Sequence, residues 1–143
     1  HVSGRPLPAL TSEDAVAIKW IVAAMTGNPE LLGGSRGRLD SDLIRVARGK
    51  LVSKVGAEAV YAIGVLPCEQ FPRGLGVAIK VEDGSQRAAA PVVVETLSQL
   101  GVLDQPELKQ LADYHHPTIK NHRKIKVGEI FPVFDLISGA HPV

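Results

Sequence analysis

The chain has 143 residues, of which 45% are apolar, and its formal net charge is +1. This length suits one domain or part of a larger one, and the apolar fraction can form a core, which argues against disorder. A charge so close to neutral excludes both a strongly basic nucleic-acid-binding chain and an acidic tail.

The beginning of the chain predicts a capped helix. Residues 1–10 contain two prolines and are predicted to be an extended lead-in. Thr11 followed by Asp14 is typical of a capping box, with Asp in place of the usual Glu. The helix is predicted to continue to about Met25. Apolar residues cover so much of its surface that we expect it to be buried, with Trp20 and Met25 in the core.

The next segment is predicted to hold a loop and a short helix. The Gly-Asn-Pro sequence at residues 27–29 ends the first helix. Residues 30–39 contain three glycines and two arginines and are interpreted as a flexible connection. A phosphate-binding loop is disfavoured, because no Gly-Lys-Ser/Thr follows and no strand precedes. Asp40 is predicted to cap a helix from Ser41 to about Arg48, closed by Gly49.

Two apolar runs predict an antiparallel hairpin. A strand begins at residues 51–55, is broken or bulged at 56–58, and continues over 59–66. After a turn at 67–73, a second strand is predicted over residues 74–81. The pair points to a mainly antiparallel sheet.

The second half of the chain adds helices and one more strand. An apolar helix is predicted over residues 86–100, with Ala89, Val93, Thr96, Leu97 and Leu100 on its buried face. A short helix follows at 104–113, and a last strand at 126–133. The predicted fold class is therefore α+β, a mainly antiparallel sheet packed with helices. We expect residues 1–143 to form a single region with extended or frayed ends at 1–10 and 136–143.

Compartment and partners are predicted from what the sequence lacks. The single cysteine, Cys68, excludes an internal disulfide and favours a reducing, cytoplasmic location. No run approaches the roughly 18 apolar residues that span a bilayer, so no membrane partner is expected. The chain starts at His1 without a basic segment followed by an apolar stretch. We therefore expect no signal peptide, and a start at a cleavage site or an artificial boundary.

The histidines and the basic run near the C-terminus are interpreted as a surface turn. No carboxylate or thiol stands at metal-ligand spacing from the three histidines, so no metal site is predicted there; they are His115, His116 and His122. Four cations follow one another closely, at Lys120, Arg123, Lys124 and Lys126. Nucleic acid is not the expected partner, because aromatic residues do not interleave with them.

Lys54 is the candidate for chemistry. A strand lysine two residues before a glycine can present its ammonium at a cleft while Gly56 lets a substrate lie against the strand edge. The lysine of the Lys-Thr-Gly motif has this role in penicillin-recognising serine enzymes. A solvated strand lysine is the alternative interpretation, since Lys-x-Gly is a common sequence.

Three segments carry a resemblance to a known family. They are Gly37-Arg38-Leu39-Asp40, Ser53-Lys54-Val55-Gly56-Ala57-Glu58 and Lys80-Val81-Glu82-Asp83-Gly84. Together with HPTIKNHRKIKVGEI near the end, they resemble the C-terminal half of the Rhizobium-type L-asparaginase II family over roughly residues 20–133.

The resemblance implies a fold similar to serine β-lactamases and glutaminases and the hydrolysis of L-asparagine to aspartate and ammonia. It also implies a serine nucleophile activated by the lysine of Ser-x-x-Lys, a second serine, and a lysine on the Lys-x-Gly strand. In some members two cysteines and a lysine hold a zinc ion.

Carried onto this chain, the resemblance assigns Lys54 as a catalytic residue and Ser53 and Gly56 as substrate-binding residues. None of the eight serines is followed three residues later by lysine, and the paired cysteines of the zinc site are absent. Val55 also replaces the hydroxyl residue of Lys-Thr-Gly. We therefore expect the C-terminal part of an asparaginase-like amidohydrolase, inactive alone and without a metal or cofactor of its own.

The partners implied are the missing N-terminal half, a small amide substrate and, through surface left exposed, further copies of the chain. The alternative is a non-catalytic interaction or regulatory domain of the same fold, whose basic run between Lys120 and Lys126 contacts an acidic partner.

Overall fold

The structure is a computed structural model that describes residues 10–137, and this part of the chain contains six helices and five strands. The helices are α1 (Ser12–Gly27), α2 (Pro29–Gly33), α3 (Leu39–Ala47), α4 (Gln86–Gln99), α5 (Gln105–Gln110) and α6 (Ala112–His115). The strands are β1 (Leu51–Val55), β2 (Val60–Val65), β3 (Leu75–Lys80), β4 (Thr118–Lys120) and β5 (Lys126–Glu129). Helices combined with antiparallel sheets confirm the predicted α+β class. Within residues 10–137, no helix combines the length and the hydropathy that a bilayer span needs.

The central sheet is an antiparallel meander in the order β1-β2-β3. Ser53 pairs with Ile63, and Ile63 pairs with Val77 across the sheet. The antiparallel pairing of the two long apolar runs is confirmed, but the expectation that β1 continues past residues 56–58 is wrong. Glu58 and Ala59 adopt left-handed conformations, with φ of 52° and 54°, and reverse the chain in a short 3₁₀ turn. β1 and β2 are therefore two paired strands.

The core lies between one face of this sheet and the helices. Alternate residues of β2 point inward, so Tyr61, Ile63 and Val65 are buried while Val60 and Ala62 are exposed. The face predicted for α4 is the one that packs on them, with Val93 and Leu97 completely buried. Helix α3 adds Leu43, Ile44 and Ala47 to the same cluster.

Helix α1 begins as predicted but is not buried as predicted. The capping box of Thr11 and Asp14 is present, and the helix ends at Gly27 with Asn28 as its C-cap. None of its residues is buried, and Trp20 is 74% exposed, so the core position predicted for Trp20 is wrong. Met25 is half-buried. The reason is that α1 packs mainly against α2 and β1, which cover only a small part of its apolar surface.

The region between α1 and β1 is more helical than the glycine content indicates. Residues 29–33 form α2, with Pro29 in its first turn, where a missing N–H costs nothing. Helix α3 begins at Leu39 with Arg38 as its N-cap, so the prediction that Asp40 caps this helix is wrong. Asp40 lies in the first turn and is 2% exposed. Its carboxylate has a partner on β1, described below.

The C-terminal part forms a separate small hairpin. The predicted last strand is present but shorter, as β5, and it pairs with β4, a strand that the sequence pattern does not predict. Both strands are largely exposed. The expected extended ends fall mostly outside the described residues, and Leu136, at the edge of that region, donates its N–H to Gln99 Oε1 at 2.7 Å.

Candidate functional site

The three segments that carry the family resemblance meet at the end of the β1–β2 hairpin. Residues 37–40 lead into the first turn of α3, and they line one cleft together with residues 55–56, where β1 ends. Lys80 reaches the turn between the strands and donates to the carbonyl of Glu58 at 2.6 Å. Gly84 approaches the same turn so closely that a Cβ would contact Glu58. Segments that are distant in sequence therefore form one continuous surface.

The cleft has a volume of about 380 Å³ and lies between α3, the end of β1 and the first turns of α4. Backbone and small side chains form much of its wall, at Gly37, Gly56, Ala89 and Ala90. Its polar side chains are Arg38, Asp40, Tyr61, Gln86 and Tyr114. Its lining therefore combines a guanidinium, a carboxylate, a side-chain amide and two phenols.

Lys54 lies on the exposed face of β1, not on the face that carries the core. Its neighbours Ser53 and Val55 point toward the helices, so Lys54 points to the opposite side. Its Nζ donates a hydrogen bond to the carbonyl of Val55 at 3.0 Å. The ammonium thus lies against the backbone of the next residue of β1.

The side chains of the predicted site residues Ser53 and Lys54 point to opposite faces of β1, so the structure does not bring them together. Ser53 is 1% exposed and its Oγ donates to the carbonyl of Asp40 at 3.4 Å. Gly56 is exposed and lines the cleft. Of the three predicted residues, Gly56 borders the cleft, Lys54 is open to solvent, and Ser53 is enclosed between β1 and α3.

Asp40 connects α3 to β1 and was not predicted as a site residue. Its Oδ1 accepts a hydrogen bond from the backbone N–H of Val55 at 3.0 Å. Gly33 makes room for it, because a Cβ there would lie 2.9 Å from the Asp40 Cβ. The carboxylate thus satisfies an N–H that faces away from β2 on this edge strand. An acidic residue two positions into a helix predicts a favourable helix-dipole contact, not a partner on a strand.

Two tyrosines line the helix-facing side of the cleft. The Tyr61 hydroxyl is buried beside Asp40 and Ser53 and makes no hydrogen bond of normal geometry within the described part of the chain. Burial, and then the adjacent Asp40, raise the pKa of Tyr61 well above its usual value. The Tyr114 hydroxyl donates a hydrogen bond to Asp42. Burial is the larger cause that raises the pKa of Tyr114, and the Asp42 carboxylate is the second. Both phenols are therefore protonated at neutral pH.

The residues present do not fit the zinc site that the resemblance implies for some members. Between residues 10 and 137, no group of three His, Cys, Asp or Glu side chains is placed to hold a metal ion. The single cysteine, Cys68, is exposed on the turn between β2 and β3. His115 and His116 each pair with a glutamate instead, at 2.6 Å from Glu95 and 3.1 Å from Glu129.

Comparison with protein-family models adds the deciding observation, a match to the model described as L-asparaginase II over residues 7–132. The chain belongs to the L-asparaginase II family. A comparison with individually curated proteins finds no match. The L-asparaginase II match spans all three resembling segments and includes both Lys54 and Gly56, so the resemblance noted from the sequence is confirmed at the level of the family.

Proposed function

We propose that this chain forms one wall of an amidohydrolase that converts L-asparagine to aspartate and ammonia. The observation that carries the proposal is that the three segments of the resemblance converge at the end of β1, where Gly56 lines the cleft and Lys54 stands two residues before it. Membership of the L-asparaginase II family supplies the reaction class. The finer assignment of roles to individual residues is our inference.

Lys54 is proposed to place a positive charge beside the reacting carbonyl or the substrate carboxylate. Its side chain is exposed and its Nζ makes one hydrogen bond, to a neutral backbone carbonyl. No carboxylate lies within ion-pair distance of it in the described part of the chain. A cation with free donors can stabilise a developing oxyanion, which is usually the largest electrostatic contribution to such a reaction.

The nucleophile is proposed to come from outside this sequence. No Ser-x-x-Lys is present, and the serine next to Lys54 is buried against Asp40. Ser53 therefore supports the strand instead of attacking a substrate. Acyl transfer needs a hydroxyl with a base within hydrogen-bond reach, and a second polypeptide segment must supply that pair. Helix α1, exposed along most of its length, offers a surface for that segment.

Ammonia release tests this function directly. The 143-residue chain is assayed with L-asparagine beside the product of the full reading frame from which it comes. We expect turnover by the longer product only. In that product Lys54→Ala should lower kcat by about 10²–10³-fold, the range for removing one oxyanion-stabilising donor. Lys109→Ala, which removes an exposed lysine on α5, is the matched control. Turnover by the 143-residue chain alone, or full activity of Lys54→Ala, would contradict the proposal.

The hairpin of β4 and β5 favours a second candidate function, the binding of an acidic partner. Lys120, Arg123 and Lys124 are exposed on it, and the turn holds Lys124 at φ 60°. Lys126 is paired with Glu129 at 2.9 Å. If this is the main role, Arg123→Glu with Lys124→Glu abolishes binding to an acidic peptide, and the longer product of the reading frame releases no ammonia.

A further inference from the structure

Asp40 holds the backbone of β1 on both sides of Lys54. The residue before the lysine, Ser53, donates its hydroxyl to the Asp40 carbonyl, and the residue after it, Val55, donates its N–H to the Asp40 carboxylate. Both contacts lie in a region where Asp40 and Ser53 are almost completely buried. Asp40 therefore bonds to both neighbours of Lys54. These two bonds fix the direction in which the Lys54 side chain leaves β1.

We propose that Asp40 is a positioning residue for Lys54, an inference that rests on the function proposed above. β1 is an edge strand, paired only with β2, so its outer N–H groups have no sheet partner. The Asp40 carboxylate takes the place of that partner at Val55. Since the Val55 carbonyl accepts from Lys54 Nζ, a movement of the Val55 backbone also displaces the group that holds the ammonium.

The surroundings of Asp40 show why a carboxylate is held there. Gly33 has no side chain, which leaves room for the Cβ of Asp40. Ser41 connects the same helix turn to α2 and the residue after it, because its hydroxyl donates to the carbonyls of Pro29 and Gly34 at 2.8 and 2.7 Å. The first turn of α3 is thus anchored on one side to α2 and on the other to β1. Asp40 makes only the second of these connections, which allows the two to be separated experimentally.

NMR on the full 143-residue chain tests the inference without requiring catalysis. The readouts are the exchange rate of the Val55 amide and the chemical shift of Lys54 Nζ. Asp40→Ala should speed Val55 exchange by about tenfold or more, as expected for the loss of a hydrogen bond to a charged group, and should shift the Lys54 signal. Asp40→Asn keeps a side-chain oxygen acceptor and should restore both readouts toward the parent values.

Ser41→Ala is the matched control, because it weakens the same helix turn without touching β1. The proposal requires that the chemical shift of Lys54 Nζ be the same in Ser41→Ala as in the parent chain. An equal shift in Ser41→Ala, or no shift in Asp40→Ala, would overturn it. If Asp40→Ala does not fold, Asp40→Ser provides the same test, because the serine side chain is too short for its oxygen to reach the Val55 N–H.

The functional consequence is measured separately in the longer product. There Asp40→Ala should lower kcat more than it raises KM, and Asp40→Asn should recover most of kcat. If the NMR readouts change as expected and no variant or parent releases ammonia, the proposed function fails while the positioning of Lys54 by Asp40 stands. If ammonia is released and Lys54 does not respond to Asp40, the positioning fails alone.

Discussion

His115 Nε2 lies 2.6 Å from Glu95 Oε2, which ties α6 to the middle of α4. The adjacent His116, the C-cap of α6, pairs with Glu129 at 3.1 Å and so connects the end of α6 to β5. Gln99 extends the first pair, since it donates to Glu95 at 2.7 Å and to the carbonyl of Phe134 at 2.7 Å. These contacts join α4 to the C-terminal hairpin and to residues 134–136.

The first prediction is that acid loosens this connection. Hydrogen bonding from Gln99 first, and then from His115, lowers the pKa of Glu95 below its usual 4.5, and Lys126 and His116 lower that of Glu129. A carboxylate whose pKa is lower in the folded state adds stability that is present above its unfolded pKa and lost as pH falls through the folded one. We expect the free energy of unfolding in urea to decrease below pH 4.5.

Glu95→Gln isolates the contribution of the first pair. It should reduce the stability at neutral pH and flatten the decrease in acid, because the substituted side chain no longer titrates. Glu69→Gln, on the exposed turn between β2 and β3, is the control and should leave the profile unchanged. A profile that is equally steep in Glu95→Gln would show that this pair does not contribute.

The second prediction compares the effect of alanine on stability at two glycines, Gly74 in the turn before β3 and Gly76 within β3. Gly74 has φ of 74°, and a Cβ there would lie 2.8 Å from the carbonyl oxygen of Val65. Gly74→Ala should therefore destabilise the chain by about 1–3 kcal/mol, through backbone strain and the clash. Gly76 has open space around it and should accept alanine with a gain or loss under about 1 kcal/mol. Urea denaturation of the two variants measures the difference, and equal stabilities would contradict it.

The third prediction concerns the packing of α4 on the sheet. Leu97 is completely buried in the core cluster, so Leu97→Ala should lower the free energy of unfolding by about 2–5 kcal/mol. Leu31, on α2, is 81% exposed, and Leu31→Ala should change it by no more than about 0.5 kcal/mol. Thermal or urea unfolding of both variants provides the comparison. Similar losses in the two would mean that α4 does not form the core in solution.

These contacts also show which features follow from local sequence. The capping box of Thr11 and the buried face of α4 were predicted because each depends on residues a few positions apart. The burial of Trp20 was predicted wrongly, because an apolar helix surface indicates a partner without saying where the partner is. Strand β4 was missed because only three residues, in a polar basic segment, form it.

The candidate site divides in the same way. Lys54 and Gly56 are assigned by the family resemblance, which a strand pattern and a two-residue spacing support, and their roles stay predictions. Asp40 was assigned to a helix cap, whereas its carboxylate crosses to Val55, a contact that depends on how α3 packs on β1. Tyr61 was predicted only as an apolar strand residue. Nothing in its local sequence indicates that its hydroxyl lies beside Asp40.

The fourth prediction is that α1 makes the isolated chain associate with itself. Trp20 and Ile21 are 74% and 57% exposed, and Val16 on the same helix is 53% exposed. A contiguous apolar surface of this kind is uncommon on a monomer and favours association. We expect a size in solution that increases with concentration in analytical ultracentrifugation. Trp20→Lys with Ile21→Lys should abolish that increase while leaving the free energy of unfolding within about 0.5 kcal/mol. The control Val133→Lys changes a position that is 84% exposed but far along the chain, and it should leave the concentration-dependent increase in size unchanged. If Val133→Lys abolished the increase equally, the association would not depend on α1.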